Sequence, residues 1–362
     1  MMVRSYCIIV LFLVLPLNCR EKNSTIVFDI RDKSNAVMRY VALVLFSLFL
    51  LYGIAVNALM VAVIYGRNSY YSRAFILIVS QLIICNSAIF LLQVAYVLPA
   101  MLKTESNLGE CDVTWIRVII ANINTFSFFG YLQFTFLLAV NRFVALILPK
   151  FNALFESKLP FLLGFLWLLA IAITVAYSYY CTSRYCISTL IWKTNCTKRS
   201  EESGKNFKRY YRLWKMSLPI AMFVIYIAIF CNIRRKRHFT SDINHNQGIS
   251  RFFARHKTNI TTTSNYERSM LIQAALTCIF LEIEMIVFKF CSKLVVKIFG
   301  EGAYISSRIF INSFIIINSA VLPTIHFIYS KRARNIIKQQ FSRLFFKDKF
   351  VINTTTVQIN DA

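Results

Sequence analysis

Glycine and proline are scarce in this sequence, with 9 and 6 copies among 362 residues. Charged residues are also few, at 16%, where a soluble domain has about a quarter. A shortage of turn-forming residues disfavours a strand-rich fold and favours long helices. The shortage of charge excludes an ordinary soluble domain, because 57% of the residues are hydrophobic and a soluble fold could not bury them all.

Signatures of catalysis and of metal binding are missing as well. None of the ten cysteines forms a CxxC pair, and there is no HExxH sequence, no glycine-rich phosphate loop and no catalytic Ser-His-Asp arrangement. We therefore expect no enzyme activity, no metal and no cofactor. The net charge of +25 is spread between apolar blocks instead of along one basic domain, so we expect membrane lipid, and not nucleic acid, beside these cations.

Long uncharged intervals are the main positive feature. A helix needs about 20 apolar residues to cross the hydrocarbon layer. Six intervals between charged residues are of about this length or longer: Arg39 to Arg67, Arg73 to Lys103, Arg117 to Arg142, Lys158 to Arg184, Lys215 to Arg234 and Arg308 to Lys331. These intervals predict six membrane-spanning helices.

A further interval, from Arg268 to Lys289, contains two acids, Glu282 and Glu284. We accept it as the sixth of seven spans, because acids occur within membranes where they serve a function. Residues two positions apart on a helix point in directions that differ by about 200°, so the carboxylates of Glu282 and Glu284 cannot face one cavity directly. Pairing of either acid with Lys289 is one interpretation, and a ligand cavity or protonation-linked switch is the other.

Orientation does not follow from the basic residues, because Lys and Arg are shared equally between the two sets of loops. Other features favour an extracellular N-terminus and a cytoplasmic C-terminus at the plasma membrane. Arg4 followed by a short apolar run indicates a signal peptide, with a retained signal anchor as the alternative. The glycosylation sequons at Asn23 and Asn195 would then lie outside the cell.

Four cysteines fall on the predicted outer side, Cys111 before the third span and Cys181, Cys186 and Cys196 after the fourth. The secretory pathway is oxidising, so these thiols can pair, and spacing alone permits three connectivities. We expect a disulfide from Cys111 to Cys196, which lies nearer the fifth span, with Cys186 as the alternative partner.

The chain after the last span has an amphipathic pattern. Apolar residues, among them Ile336 and Ile337, fall on one helical face, while Arg334 and Lys338 lie elsewhere. We predict an all-α fold, a seven-transmembrane helix bundle with a C-terminal amphipathic surface helix. The predicted segments are a signal peptide (1–19), an extracellular N-terminus (20–39), the bundle (40–330), the surface helix (331–346) and a cytoplasmic tail (347–362).

This pattern resembles the rhodopsin-type G-protein-coupled receptors. The resemblance is carried by the cysteine before the third span, by Asn141-Arg142-Phe143 at its inner end, by the amphipathic helix, and by Asn57 within Gly53-x-x-x-Asn57-x-Leu59. It implies a ligand in the outer half of the bundle and a heterotrimeric G protein at the inner face. Asn141, Arg142 and Phe143 would then form the G-protein contact or switch, since a guanidinium can meet backbone carbonyls of an inserted helix.

Within that superfamily the chain is most similar to the nematode serpentine chemosensory receptors near class x. The similarity extends from about residue 40 to 345 and includes Ser80-Gln81-Leu82, Asn141-Arg142-Phe143-Val144-Ala145 with Pro149, and Glu267-Arg268. It implies chemosensation, with odorant, peptide and pheromone all open as ligands.

The chain also departs from the rhodopsin-type pattern. Asn86 stands where an ionised aspartate is usual, and the sixth span has no Trp or Pro at the usual hinge. In the seventh span, Pro323-Thr324-Ile325-His326 replaces the Asn-Pro-x-x-Tyr motif. We expect Asn57, Asn86, Pro323 and His326 to act as polar or structural anchors of the bundle.

An ion- or proton-linked transporter or channel is the alternative function, because intramembrane acids such as Glu282 and Glu284 also mark ion pathways. The spans show no obvious inverted repeat and no two matching helices broken by Gly or Pro, which favours the receptor.

Overall fold

The computed structural model describes residues 29–66, 71–102, 115–196, 200–246, 272, 275–277, 279–284, 286–331, 333–339 and 342, with the backbone alone at 236–246, 289 and 293. Seven helices form a bundle: α1 (Ala36–Ile64), α2 (Arg73–Leu102), α3 (Trp115–Ile147), α4 (Asn152–Tyr180), α5 (Glu201–Asn246), α6 (described in parts between 272 and 299) and α7 (Tyr304–Tyr329). A hairpin of β1 (Thr182–Cys186) and β2 (Ile191–Asn195) joins α4 to α5.

Local sequence explains where several helices begin and end. The Ser72 hydroxyl accepts a hydrogen bond from the Phe75 amide and caps the start of α2. Pro149 is the first residue of a short 3₁₀ turn before α4. At this position a backbone N–H would have no intrahelical acceptor, so the N–H that proline lacks is not needed. Gly300 follows α6 with φ of 80°, a left-handed conformation that ends the helix at little cost for glycine.

Among the described residues, two helices contain a π turn, Gln93–Val97 in α2 and Val287–Cys291 in α6. A π turn adds one residue to a helical turn and is a common local distortion at functional sites. The turn in α6 is notable because this span lacks the proline hinge that the resemblance would lead one to expect.

Six of the described helices are long and apolar enough to cross a membrane, and their outward faces are apolar too. Leu51 is 65% exposed and Phe161 is 77% exposed, which would be unfavourable in water and suits contact with lipid. The interior helices are α3, which packs against α2, α4 and α5, and α7, which packs against α1. The fold is therefore an all-α helical bundle, to which the hairpin adds two short strands.

After α7, residues 333–339 are helical. The Ser330 hydroxyl accepts a hydrogen bond from the Ala333 amide, and Ile336 and Ile337 pack against the bundle core. The remainder of the predicted surface helix is largely outside the described residues, so its contact with the membrane stays a prediction.

Candidate functional site

A cavity of about 690 Å³ lies within the bundle beneath the hairpin. Its lining includes Gln93 of α2, Thr125 of α3, Trp192 of β2, Tyr211 of α5 and Asn312 of α7. The volume is in the range of pockets that enclose small organic molecules. This cavity is the candidate ligand site.

The hairpin forms the roof of the cavity and is fixed on several sides. A disulfide joins Cys181, at the end of α4, to Cys196, at the end of β2. The Asn312 side chain donates a hydrogen bond to the Leu190 carbonyl (2.9 Å), which ties α7 to the turn of the hairpin. These bonds hold Trp192 and the neighbouring hairpin residues over the cavity.

The disulfide corrects one of our predictions. Cys196 pairs with Cys181, so the expected Cys111–Cys196 bridge is wrong. The cause is geometric, because β1 and β2 are antiparallel and bring the two ends of the hairpin together at the Thr182–Asn195 pair. Cys111 lies outside the described residues, and its pairing with Cys186 stays a prediction.

The two acids of α6 occupy different surroundings. Glu284 lines the cavity and accepts a hydrogen bond from the Asn318 side chain of α7. Glu282 is half-buried, does not line the cavity, and has one buried carboxylate oxygen without a hydrogen-bond partner among the described residues. The side chain of Lys289, the predicted partner, lies outside the described residues.

Lys215 of α5 faces Glu284 across the cavity, and sequence reasoning missed it. The two residues attract each other electrostatically, although no described carboxylate oxygen lies within 4.0 Å of the Lys215 nitrogen. The Lys215 Nζ lies 4.4 Å from the ring centre of Phe128 and 5.2 Å from that of Phe288. Aromatic faces at this distance stabilise an ammonium group.

Asn57 and Asn86 meet at the centre of the bundle, where they join α1, α2 and α7. The Asn86 side-chain amide donates to the Ser319 carbonyl (2.9 Å) and to the Asn57 side-chain oxygen (3.4 Å), and Asn57 donates to the Ser319 carbonyl (3.3 Å). Ser319 itself lines the cavity, so this network connects the cavity floor to three helices.

At the far end of the bundle, Arg142 and His326 belong to one buried cluster with Tyr71 and Phe75. The Arg142 guanidinium lies 4.8 Å from the Phe75 ring centre. The Tyr71 hydroxyl and the His326 Nε2 share a hydrogen bond of 2.9 Å. Asn141 is buried beside Arg142, which places two members of the predicted motif inside the bundle.

Pro323 and Phe143 occupy less polar positions near this cluster. Pro323 is buried within α7, one turn before His326, and Phe143 is half-buried against the main core. The structure therefore brings the end of α3, the start of α2 and the end of α7 together.

The two predicted glycosylation positions do not belong to the described lining of the cavity. Asn195 is exposed at the end of β2, and Asn23 lies outside the described residues. Among the described residues no group of His, Cys, Asp and Glu is arranged to hold a metal ion.

Long apolar helices packed around α3 and α7 form an all-α membrane bundle, and the family match places this bundle among the seven-transmembrane G-protein-coupled receptors. Residues 46–326 match the family model described as serpentine type 7TM GPCR chemoreceptor Srx, and the chain belongs to that family. It is a multi-pass membrane protein of a chemoreceptor family, which is not an enzyme family. No curated protein matches the chain.

Proposed function

We propose that the protein binds a small extracellular ligand in the cavity beneath the hairpin and activates a heterotrimeric G protein at the opposite end. The observation that carries the proposal is the pairing of a roofed cavity with the buried Arg142 cluster on one continuous helix, α3. Thr125 in the cavity and Arg142 are 17 residues apart, roughly 25 Å along a helix. The bundle thus has separate sites on its two sides.

We further propose that the hairpin end faces outside the cell. The Cys181–Cys196 disulfide supports this, because disulfides persist in oxidising compartments. The Ile30 amide donates to the Ser188 carbonyl of the hairpin (3.0 Å), so the N-terminal residues share that side. An extracellular N-terminus, a cytoplasmic C-terminus and glycosylation at Asn195 follow from this orientation, while the signal peptide stays a prediction.

Helix α7 provides the connection between the two sites. Asn318 and Ser319 line the cavity, and His326 of the same helix lies about two turns further on, in the cluster with Arg142. A ligand that prefers one position of α7 would shift the population of that state, and a G protein that prefers the same state would be recruited. Arg142 would then leave the cluster to meet the inserted segment of the G protein.

The transporter or channel has less support. Intramembrane acids can mark an ion pathway, but of Glu282 and Glu284 only Glu284 lines the cavity, and it accepts a hydrogen bond from Asn318. Membership of a receptor family also favours the receptor.

The test is a cell-based G-protein activation assay over a panel of small volatile, lipidic and peptide compounds. We expect a compound-dependent signal that Arg142→Ala removes and that Arg209→Ala retains, since Arg209 is an exposed arginine of α5 that does not line the cavity. All variants are compared at equal surface expression. A signal that survives in Arg142→Ala would refute the role of Arg142, and a compound-gated or proton-linked current without G-protein activation would favour the transporter or channel.

A further inference from the structure

The cavity has an excess of positive charge. Its described lining includes four cationic side chains, Lys208, Arg212, Lys215 and Arg308, and one acidic side chain, Glu284. Lys208 and Arg212 are exposed, whereas Lys215 and Arg308 are half-buried. One carboxylate cannot balance four cations, so the described lining contributes a positive potential within the cavity and at its rim.

Lys215 is held in place without a direct ionic partner among the described residues. It lies between the rings of Phe128 and Phe288, and the acid in the described lining, Glu284, is hydrogen-bonded to Asn318. The π turn Val287–Cys291 contains Phe288 and so helps to position this ring. The faces of Phe128 and Phe288 are therefore occupied by the receptor's own ammonium group and are not available to a cationic ligand.

Arg308 contributes an unused hydrogen-bond donor. Its Nε is buried and has no hydrogen-bond partner among the described residues, while its guanidinium carbon lies 5.0 Å from the Tyr304 ring centre. Arg308, Asn312, Ile315 and Ser319 all line the cavity and follow each other at spacings of three or four residues, so they form one face of α7. The Nε atom itself is covered, so an anion in the cavity would be attracted by the positive charge of the Arg308 guanidinium.

The rest of the lining is largely apolar or aromatic, and includes Ile89, Leu132 and Trp192. We propose that the cavity selects a small ligand with an apolar body and a carboxylate end, and that Lys215 and Arg308 bind the carboxylate. An amine of the same shape is rejected by like charge. This inference rests on the ligand cavity of the proposed function, and it concerns the ligand's charge and not the G protein.

The charge of the cavity can be measured without knowing the natural ligand. Asn124 lines the cavity and is half-buried, so Asn124→Cys places a thiol inside it. The purified full chain in lipid nanodiscs is treated with methanethiosulfonates that carry either a sulfonate or a trimethylammonium group. Mass spectrometry of the peptide containing position 124 gives the two rates, unaffected by the native cysteines.

We expect the ratio of anionic to cationic reagent rates at the introduced thiol to exceed that of free cysteine by about tenfold, because the cavity concentrates anions. Adding Lys215→Met and Arg308→Gln should lower the ratio by roughly threefold or more. Adding Lys205→Met should leave it unchanged, because Lys205 is exposed, pairs with Glu201 and does not line the cavity. A ratio equal to that of free cysteine, or a ratio that Lys215→Met and Arg308→Gln leave unchanged, would overturn the proposal.

A second arm tests ligand selection with matched probes. Decanoate should slow modification of the introduced thiol by the small neutral reagent methyl methanethiosulfonate, whereas decylamine at the same concentration should not. Equal protection by the two, or better protection by the amine, would contradict carboxylate selection. Neither arm uses a G protein. If both arms give the expected results but no compound activates a G protein, the proposed coupling to a G protein is refuted and the anion site is still supported.

Discussion

Gly130 of α3 lies close against Cys85 of α2. A Cβ atom added at Gly130 would lie 2.8 Å from the Cys85 Sγ, and the next nearest atom belongs to Trp167, at 3.5 Å. Overpacking of this kind costs about 1–3 kcal/mol, while replacing a helical glycine by alanine gains about 1 kcal/mol. Gly130→Ala should therefore lower the free energy of unfolding by about 0–2 kcal/mol.

A double-mutant cycle separates the two contributions. Cys85→Ala removes the sulfur that the new methyl group would contact. In that background Gly130→Ala should therefore raise the free energy of unfolding by the gain in helix propensity alone. The coupling energy between the two substitutions should be about 1–3 kcal/mol, measured by reversible SDS unfolding of the purified chain in mixed micelles. The control is Gly164→Ala in α4, where nothing lies within 4 Å of an added Cβ and no loss is expected. Coupling below about 0.5 kcal/mol would refute the contact between α2 and α3.

Three further perturbations test other parts of the structure. Tyr71→Phe removes the hydrogen bond to His326 and should cost about 0.5–1.5 kcal/mol in the same SDS assay, so an unchanged transition would argue against that bond. Burial alone would raise the pKa of Asp29, but the hydrogen bonds and charge of Arg31 outweigh it and lower the pKa. The turn at Asp29 should therefore stay protected from hydrogen exchange above about pH 4 and lose protection as the pH falls through the lowered pKa. Loss of this protection already above about pH 4 would contradict the lowered pKa. Cys181→Ser removes the disulfide and should lower the free energy of unfolding by about 3 kcal/mol, to the value of the reduced wild type. A free energy of unfolding equal to that of the oxidised wild type would contradict the disulfide.

Local properties of the sequence were sufficient to predict the seven helices. Six spans are uncharged intervals of about the length that crosses the membrane, and this signal does not depend on which helices touch. The remaining span, the sixth, contains Glu282 and Glu284 and is accepted because acids occur within membranes where they serve a function. Asn57 and Asn86 are singled out through the resemblance to the rhodopsin-type receptors, which keep polar side chains at these two positions. The structure adds that both side chains donate to the same carbonyl, that of Ser319.

The cations of the cavity could not be found by counting uncharged residues. That count starts the fifth span at Lys215, whereas α5 begins at Glu201 and carries its outer cations on helical turns that face the cavity. One signal was present, because the interval after Lys215 holds only 18 residues, slightly fewer than a span needs. A lysine next to so short an interval is expected to lie close to the hydrocarbon region.

The hairpin and its disulfide depend on tertiary contacts and are harder to predict. Residues 182–195 show no strict alternation, and the cysteine spacing allows several pairings. The register of β1 and β2 decides that Cys181 and Cys196 meet. The neighbours of Arg142 could not be predicted either, because Phe75 and His326 approach it only when α2 and α7 pack beside α3.

The most direct test of the central claim is nucleotide exchange on a purified heterotrimeric G protein by the purified receptor, with a compound that stimulates the wild type in cells. Ile315 is half-buried and lines the cavity, so Ile315→Trp should fill part of the ligand space without touching the opposite end. We predict that the compound accelerates exchange with the wild type, that Ile315→Trp keeps only basal exchange, and that Arg142→Ala loses both. Full compound-stimulated exchange by Ile315→Trp, at wild-type stability, would contradict the claim that this cavity controls the G-protein face.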